Sequence, residues 1–164
     1  MANLASERRR SRESSPPRVM LICSPGGHLM QMLALAPAWR ELPHAWVTLA
    51  AADTDSVLAG RQVVYAHGPT NRSVVNLLRN LRLACRVVRS AKPDAMLSTG
   101  AGLAVPFFLI GRIAGVRLIY VESVTRMSGL SLTGRLVYHL CDRFFVQWPG
   151  AAARRRAEYV GSVL

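Results

Sequence analysis

The sequence predicts an α/β chain: one Rossmann-like parallel sheet with helices on both faces. Three observations carry this. Short apolar runs alternate with helical stretches from Val19 to Val146. The runs are rich in Val, Leu, Ile and Phe without polar alternation, as in strands buried on both faces. No run is joined to the next by a hairpin signal, so the connections must be crossovers. With 164 residues, the chain has room for one such domain.

Residues 1–17 are polar, rich in Arg, Ser and Pro and without periodicity, which predicts a disordered basic arm followed by a domain over 18–164. Val19 to Cys23 is the first strand; a glycine turn follows, then a helix from Leu29 to about Leu42. Ala45 to Ala50 is a strand, Thr54 to Ala59 a short helix and Gln62 to Ala66 a third strand. Val74 to Ala91 is a long amphipathic helix closed by Pro93. Ala95 to Ser98 is the next strand, Leu103 to Ala114 an apolar helix and Leu118 to Val121 a strand. A looser helix runs through Leu132 to Leu140, and Phe144 to Val146 is the last strand.

Composition narrows the function classes. Hydrophobic residues make up 51% and charged ones 18%, which excludes a disordered chain. The net charge of +12, from 21 Lys+Arg against 9 Asp+Glu, is almost wholly arginine, since Lys92 is the only lysine. Such an excess favours an anionic partner: nucleic acid, acidic lipid or a phosphorylated substrate. Cys23, Cys85 and Cys141 are scattered and odd in number, which fits a reducing compartment and offers no metal-ligand spacing. No metal site is predicted. Two uncharged runs, Val19 to Trp39 and Ala95 to Gly111, tempt a membrane-span reading. Pro25-Gly26-Gly27 breaks the first, and Ser98, Thr99, Pro106 and three glycines interrupt the shorter second. Lipid would leave those broken backbone groups unsatisfied, so both runs are predicted to fold as strand, loop and helix.

Four features carry candidate chemistry. Ser24-Pro25-Gly26-Gly27-His28 directly follows the first strand. Its glycines permit close approach of a ligand to the main chain, and the helix beyond presents free N–H groups. His28 there is either a general base for a sugar hydroxyl or a helix-capping residue. Ser98-Thr99-Gly100-Ala101-Gly102 makes a second tight turn, between a later strand and its helix; it matches a dinucleotide fingerprint only loosely and lacks a Walker lysine. Glu122-Ser123 ends another strand, where a carboxylate either points into the ligand crevice or caps a helix. In a parallel sheet these three segments share one edge. The fourth feature is the long helix and its approach, where Arg72, Arg79, Arg82, Arg86 and Arg89 recur at spacings of seven, three, four and three. Residues 71–92 hold six positive charges and no negative one, which points to an anionic membrane surface. The helix lacks the interleaved aromatics of a nucleic-acid platform, and no nucleic-acid partner is predicted.

Five blocks then occur in order: Ser24 to His28 with Met32-Leu33; Ser98 to Gly102 with Pro106; Tyr120 to Ser123; Leu130 to Arg135; and Phe145 to Pro149. Together they resemble the PssD-type exopolysaccharide glycosyltransferase subunits. They are also similar to the membrane-recruiting subunit of the eukaryotic transferase that adds the second N-acetylglucosamine to dolichol-linked sugar. The resemblance covers residues 19 to about 161 and departs from the pattern at Pro25, where relatives often have a small residue.

The resemblance implies half of a GT-B glycosyltransferase: an acceptor-binding lobe whose small partner subunit holds the UDP-sugar. It implies a polyprenyl-diphosphate-linked sugar as acceptor, inversion at the anomeric carbon, no cofactor, no essential metal, and peripheral attachment at the cytoplasmic face of a membrane. On that reading His28 and Glu122 are the catalytic candidates. Ser24, Gly26, Gly27, Thr99, Gly100, Gly102 and Ser123 bind substrate, and the five arginines meet the membrane. The alternative is a non-catalytic membrane scaffold that recruits the true transferase.

Overall fold

The computed structural model describes residues 15–71, 73–151 and 156–163. Seven strands form a single sheet: β1 Val19–Ile22, β2 His44–Leu49, β3 Val63–Ala66, β4 Ala95–Ser98, β5 Arg117–Val121, β6 Arg143–Val146 and β7 Ala157–Tyr159. Their spatial order is β3-β2-β1-β4-β5-β6-β7, and all six pairings are parallel. Five α-helices connect them: α1 Gly27–Ala34, α2 Ala52–Val57, α3 Val74–Ala91, α4 Ala104–Ile113 and α5 Leu132–Val137. Fold class and, as far as β6, element order are those the sequence predicts. Among the described residues, no helix is long and apolar enough to cross a membrane. Both uncharged runs fold as strand, loop and helix.

Two helices end three or more residues earlier than expected. The first helix stops at Ala34, and a 3₁₀ turn over Ala36–Ala38 follows. Pro37 lacks an N–H and its ring clashes with the preceding turn, so an α-helix cannot run through it. The last helix ends at Val137, three residues short of Leu140. Strand β7 is an addition: three half-exposed residues at the sheet edge, too short to signal in sequence, fastened by Arg143 Nε donating to Glu158 at 2.7 Å. Of the expected disordered arm, residues 1–14 lie outside the described residues.

Strand alternation builds two cores. On β1, Met20 and Ile22 face a core with Met96, Leu118 and Tyr120 of the neighbouring strands, roofed by Ala84 and Val88 of α3 and Phe107 and Phe108 of α4. Val19, Leu21 and Cys23 face the opposite layer with Leu29 and Met32 of α1, Trp39 and Trp46. Helix α4 packs between α3 and α5 on the first face. Gly111 of α4 is what lets it lie close, since a Cβ there would meet Met96 Sδ at 2.8 Å. With those three helices on one side, the other side of β4 to β6 keeps an apolar groove of about 750 Å³ lined by Leu97, Ile119, Phe145 and Val160.

The order reverses between β1 and β4. The chain leaves β1 toward β2 but leaves β4 toward β5, so the loops after these two strands diverge. A crevice opens at such a switch point, beyond the carboxyl ends of the strands.

Candidate functional site

The loops after β1 and β4 are fastened to each other at this crevice. His28 Nδ1 lies 2.7 Å from the Thr99 carbonyl, and Thr99 Oγ1 donates to the His28 carbonyl at 2.7 Å. A carbonyl only accepts, so Nδ1 carries a proton, and Nε2 makes no hydrogen bond among the described residues. Gly100 makes this possible, because a Cβ there would stand 2.6 Å from His28 Cε1. His28 borders a cleft of about 860 Å³.

Five segments line that cleft. His28 comes from the first turn of α1, and Thr70, Asn71 and Ser73 from the segment before α3. Ala101, Gly102 and Val105 come from the β4 loop and α4. Glu122, Ser123, Thr125 and Arg126 follow β5, and Ser131, Thr133, Leu132 and Leu136 belong to the approach to α5 and its body. Arg126 is the one guanidinium among the described lining residues. The lining is therefore amphipathic. Hydroxyls, an imidazole and the exposed Arg126 guanidinium share it with an apolar rim of exposed Val74 and Leu77 of α3 and Leu132 and Leu136 of α5.

Glu122 lines the cleft and also supports the residue that caps α5. Its Oε2 accepts from Ser131 N–H at 2.9 Å and Ser131 Oγ–H at 3.0 Å, and its Oε1 from Ser123 N–H at 3.0 Å. Ser131 in turn caps α5, its Oγ accepting from Gly134 N–H at 2.9 Å. The carboxylate is 1% exposed and closes the 123–131 loop on itself. Gly134 leaves the space it occupies, for a Cβ there would overlap the carboxylate.

Of the other predicted binding residues, Gly102 and Ser123 line the cleft, while Thr99 and Gly100 are buried beneath it and hold His28. Ser24, Gly26 and Gly27 are not among the lining residues. The Gly26 N–H donates to Asp53 Oδ2 at 2.7 Å. Sequence reasoning missed Thr70, Asn71, Arg126 and the α5 rim. The Gly68-Pro69 turn between a strand and the Ser73 cap was the available signal for the first two. Cys23 and Cys141 take no part: burial, with a neighbouring aspartate second in each case, pushes both thiols up to about 12.

The arginines lie apart from the cleft. Helix α3 buries Asn76, Asn80, Ala84 and Val88. At 3.6 residues per turn Arg79, Arg82, Arg86 and Arg89 fall within about 80° of its outer surface, and all four are exposed. Arg72 lies outside the described residues. At the start of the helix Leu77 and Leu78 are 43% and 56% exposed, with Val74 and Val75 at 70% and 60%. The reason is local. Here the inner face carries Asn76 and Asn80, whose amides hold the 67–69 segment: Asn80 bonds both N–H and C=O of His67, and Asn76 donates to the Pro69 carbonyl. Thus α3 has an apolar first turn at the cleft mouth and a basic remainder.

Comparison with known proteins agrees with this architecture. The family described as "Oligosaccharide biosynthesis protein Alg14 like" matches residues 56–163. The UDP-N-acetylglucosamine transferase subunit ALG14 of Eremothecium gossypii is 31% identical over 91% of this chain and 81% of its own length. The corresponding Schizosaccharomyces pombe subunit is 43% identical over 43% of this chain, a segment that spans 37% of the relative. Among solved structures, MurG of Acinetobacter baumannii, a GT-B glycosyltransferase, superposes with a TM-score of 0.73. It is 18% identical, over 88% of this chain but only 45% of its own. The superposition shows the fold: a Rossmann-like lobe of the GT-B kind. Matched over two thirds of its sequence and aligned with one relative almost throughout, the chain belongs to the Alg14-like family of oligosaccharide biosynthesis proteins.

Proposed function

We propose that this chain is the membrane-docking subunit of a two-part UDP-sugar transferase. It holds a polyprenyl-diphosphate-linked sugar and recruits a separate, smaller subunit that carries the UDP-sugar. The observation that carries this is the amphipathic cleft, whose apolar rim runs into the exposed Val74, Val75, Leu77 and Leu78 of α3 and Leu132 and Leu136 of α5. A ligand with a polar head and an isoprenoid tail fits that gradient: hydroxyls and Arg126 meet sugar and diphosphate, and the tail leaves over the rim into lipid. The basic stripe on the same helix adds attraction to anionic headgroups, about 1 kcal/mol for each arginine near the surface. The relatives' designation as transferase subunits supports a place in a larger transferase.

A second reading, that the chain also contributes to catalysis, is favoured by one observation. His28 borders the cleft and is held through Nδ1, while Nε2 makes no hydrogen bond among the described residues. A base so oriented takes a proton from the acceptor hydroxyl as that oxygen attacks the anomeric carbon from the side opposite UDP, which inverts the centre. The leaving diphosphate is neutralised by the partner, without a metal or cofactor. Glu122 acts through the loop it closes. Peripheral attachment at the cytoplasmic face follows from where UDP-sugars are found, and the PssD-type blocks make exopolysaccharide or a related glycan the proposed product.

The test has two parts. Flotation with vesicles containing phosphatidylglycerol, and co-purification of the UDP-sugar-binding subunit, should both be seen with the wild-type chain; loss of either overturns the docking and recruiting role. His28→Ala should retain both while lowering transfer to a lipid-linked acceptor at least a hundredfold. Full transfer by that variant would leave the chain a recruiting scaffold alone.

A further inference from the structure

Two glutamines that neither glycine loop contains meet in the interior between the cleft and the apolar groove. Gln31 of α1 is 2% exposed and Gln147, just beyond β6, is 3% exposed. Gln147 Nε2 donates to Gln31 Oε1 at 2.7 Å and to the Glu122 carbonyl at 2.9 Å. Gln147 Oε1 accepts from Val163 N–H at 3.0 Å and Ser162 Oγ–H at 3.2 Å. Gln31 Oε1 also accepts from Val124 N–H at 3.0 Å, and its Nε2 donates to the Gly27 carbonyl at 3.2 Å.

Backbone groups fix both amide orientations. A main-chain N–H can only donate and a carbonyl only accept. Val163 N–H therefore demands the oxygen of Gln147 on its side, and the Glu122 carbonyl demands the nitrogen. Val124 N–H likewise sets Gln31. Flipping either amide would face donor with donor, in a place water does not reach.

We propose that the Gln31–Gln147 pair is a positioning device for the cleft: it ties the turn that presents His28 to the 123–131 loop that presents Arg126, and both to the 162–163 segment. His28 follows the Gly27 carbonyl that Gln31 holds, and Val124 lies two residues before Arg126. The Trp148 indole N–H donates to the Val124 carbonyl, so residue 124 is gripped on both its polar groups. The pair sets the distance between the imidazole and the guanidinium across the cleft. This rests on the cleft taking part in transfer.

Isosteric substitutions test it. Gln31→Glu keeps the oxygen that Val124 N–H and Gln147 require but sets its second oxygen against the Gly27 carbonyl, whereas Gln147→Glu turns an acceptor toward the Gln31 oxygen and the Glu122 carbonyl. In the two-subunit transferase with UDP-N-acetylglucosamine and a lipid-linked acceptor, Q147E should lower kcat at least tenfold with donor KM unchanged. Q31E, which loses the bond to the Gly27 carbonyl, and Q31M should lower kcat likewise. In the full chain alone, amide exchange of residues 123–131 should accelerate in Q147E and Q31M but not in Q31E. A merely space-filling role makes both Glu variants equivalent, and that equivalence in exchange overturns the proposal. If exchange follows the predicted order while His28→Ala transfers normally, the positioning stands and the catalytic reading falls.

Discussion

The α-carbon of Gly100 lies so close to the His28 imidazole that a Cβ on it would stand 2.6 Å from Cε1 and 2.9 Å from Nδ1. One loop thus holds the ring by a carbonyl and makes room for it by the absence of a side chain. Gly100 also has φ +121°, which an L side chain rarely adopts. Gly100→Ala should therefore cost about 1–3 kcal/mol in strain. If His28 is the base, the displaced ring should also lower transfer about 100-fold. Thermal unfolding and turnover measured together check this; an alanine variant with wild-type turnover would show that the ring position is immaterial.

Glu122 and Gly134 form a second pair of this kind. Glu122→Gln must set an amide NH₂ against at least one N–H donor, since Ser123 and Ser131 each offer one. The expected loss is about 1–3 kcal/mol, read as a lower Tm that accompanies any loss of turnover. A variant with lowered turnover and unchanged Tm would instead make Glu122 a reacting group.

The arginine stripe should be separable from the cleft. Replacing Arg79, Arg82, Arg86 and Arg89 by glutamine removes about 4 kcal/mol of attraction to an anionic surface. That corresponds to about a thousandfold in vesicle partitioning. Binding to vesicles of phosphatidylcholine alone should not change. Val75→Ser with Leu78→Ser should weaken binding to both kinds. Equal loss from both vesicle types in the arginine variant would mean the charges act on folding, not on lipid.

The buried thiols set an alkaline limit. Cys23 and Cys141 are raised by burial from an ordinary 9.0 to about 12. The unfolded chain releases these protons near the lower value, and the folded chain keeps them to near the upper one. Between the two the folded state binds more protons, so stability is intact below pH 9 and falls as pH rises, by about 1.4 kcal/mol per pH unit and thiol. Burial raises Tyr120 too, in the same sense. Tm followed from pH 8 to 11 should decline above 9, less steeply in Cys23→Ala and Cys141→Ala. A flat profile would contradict the burial of these groups.

The parallel sheet was legible in the sequence because each strand from Val19 to Val146 is a short apolar run that alternates with a helical period, and both signals are local. The glycine turns at 26–27 and 100–102 were legible for the same reason, as was the basic face of α3. Tertiary structure alone decided what those groups do. The Gly26 N–H met Asp53, 27 residues away; Glu122 came to hold the Ser131 cap; and Gln31 met Gln147 across 116 residues. A carboxylate or amide takes its meaning from whichever donor the fold carries to it, and nothing in the spacing of residues along a chain states that distance. Hydrophobic periodicity repeats within each element and can be read there; hydrogen-bond partnership is made between elements and exists only once they are packed.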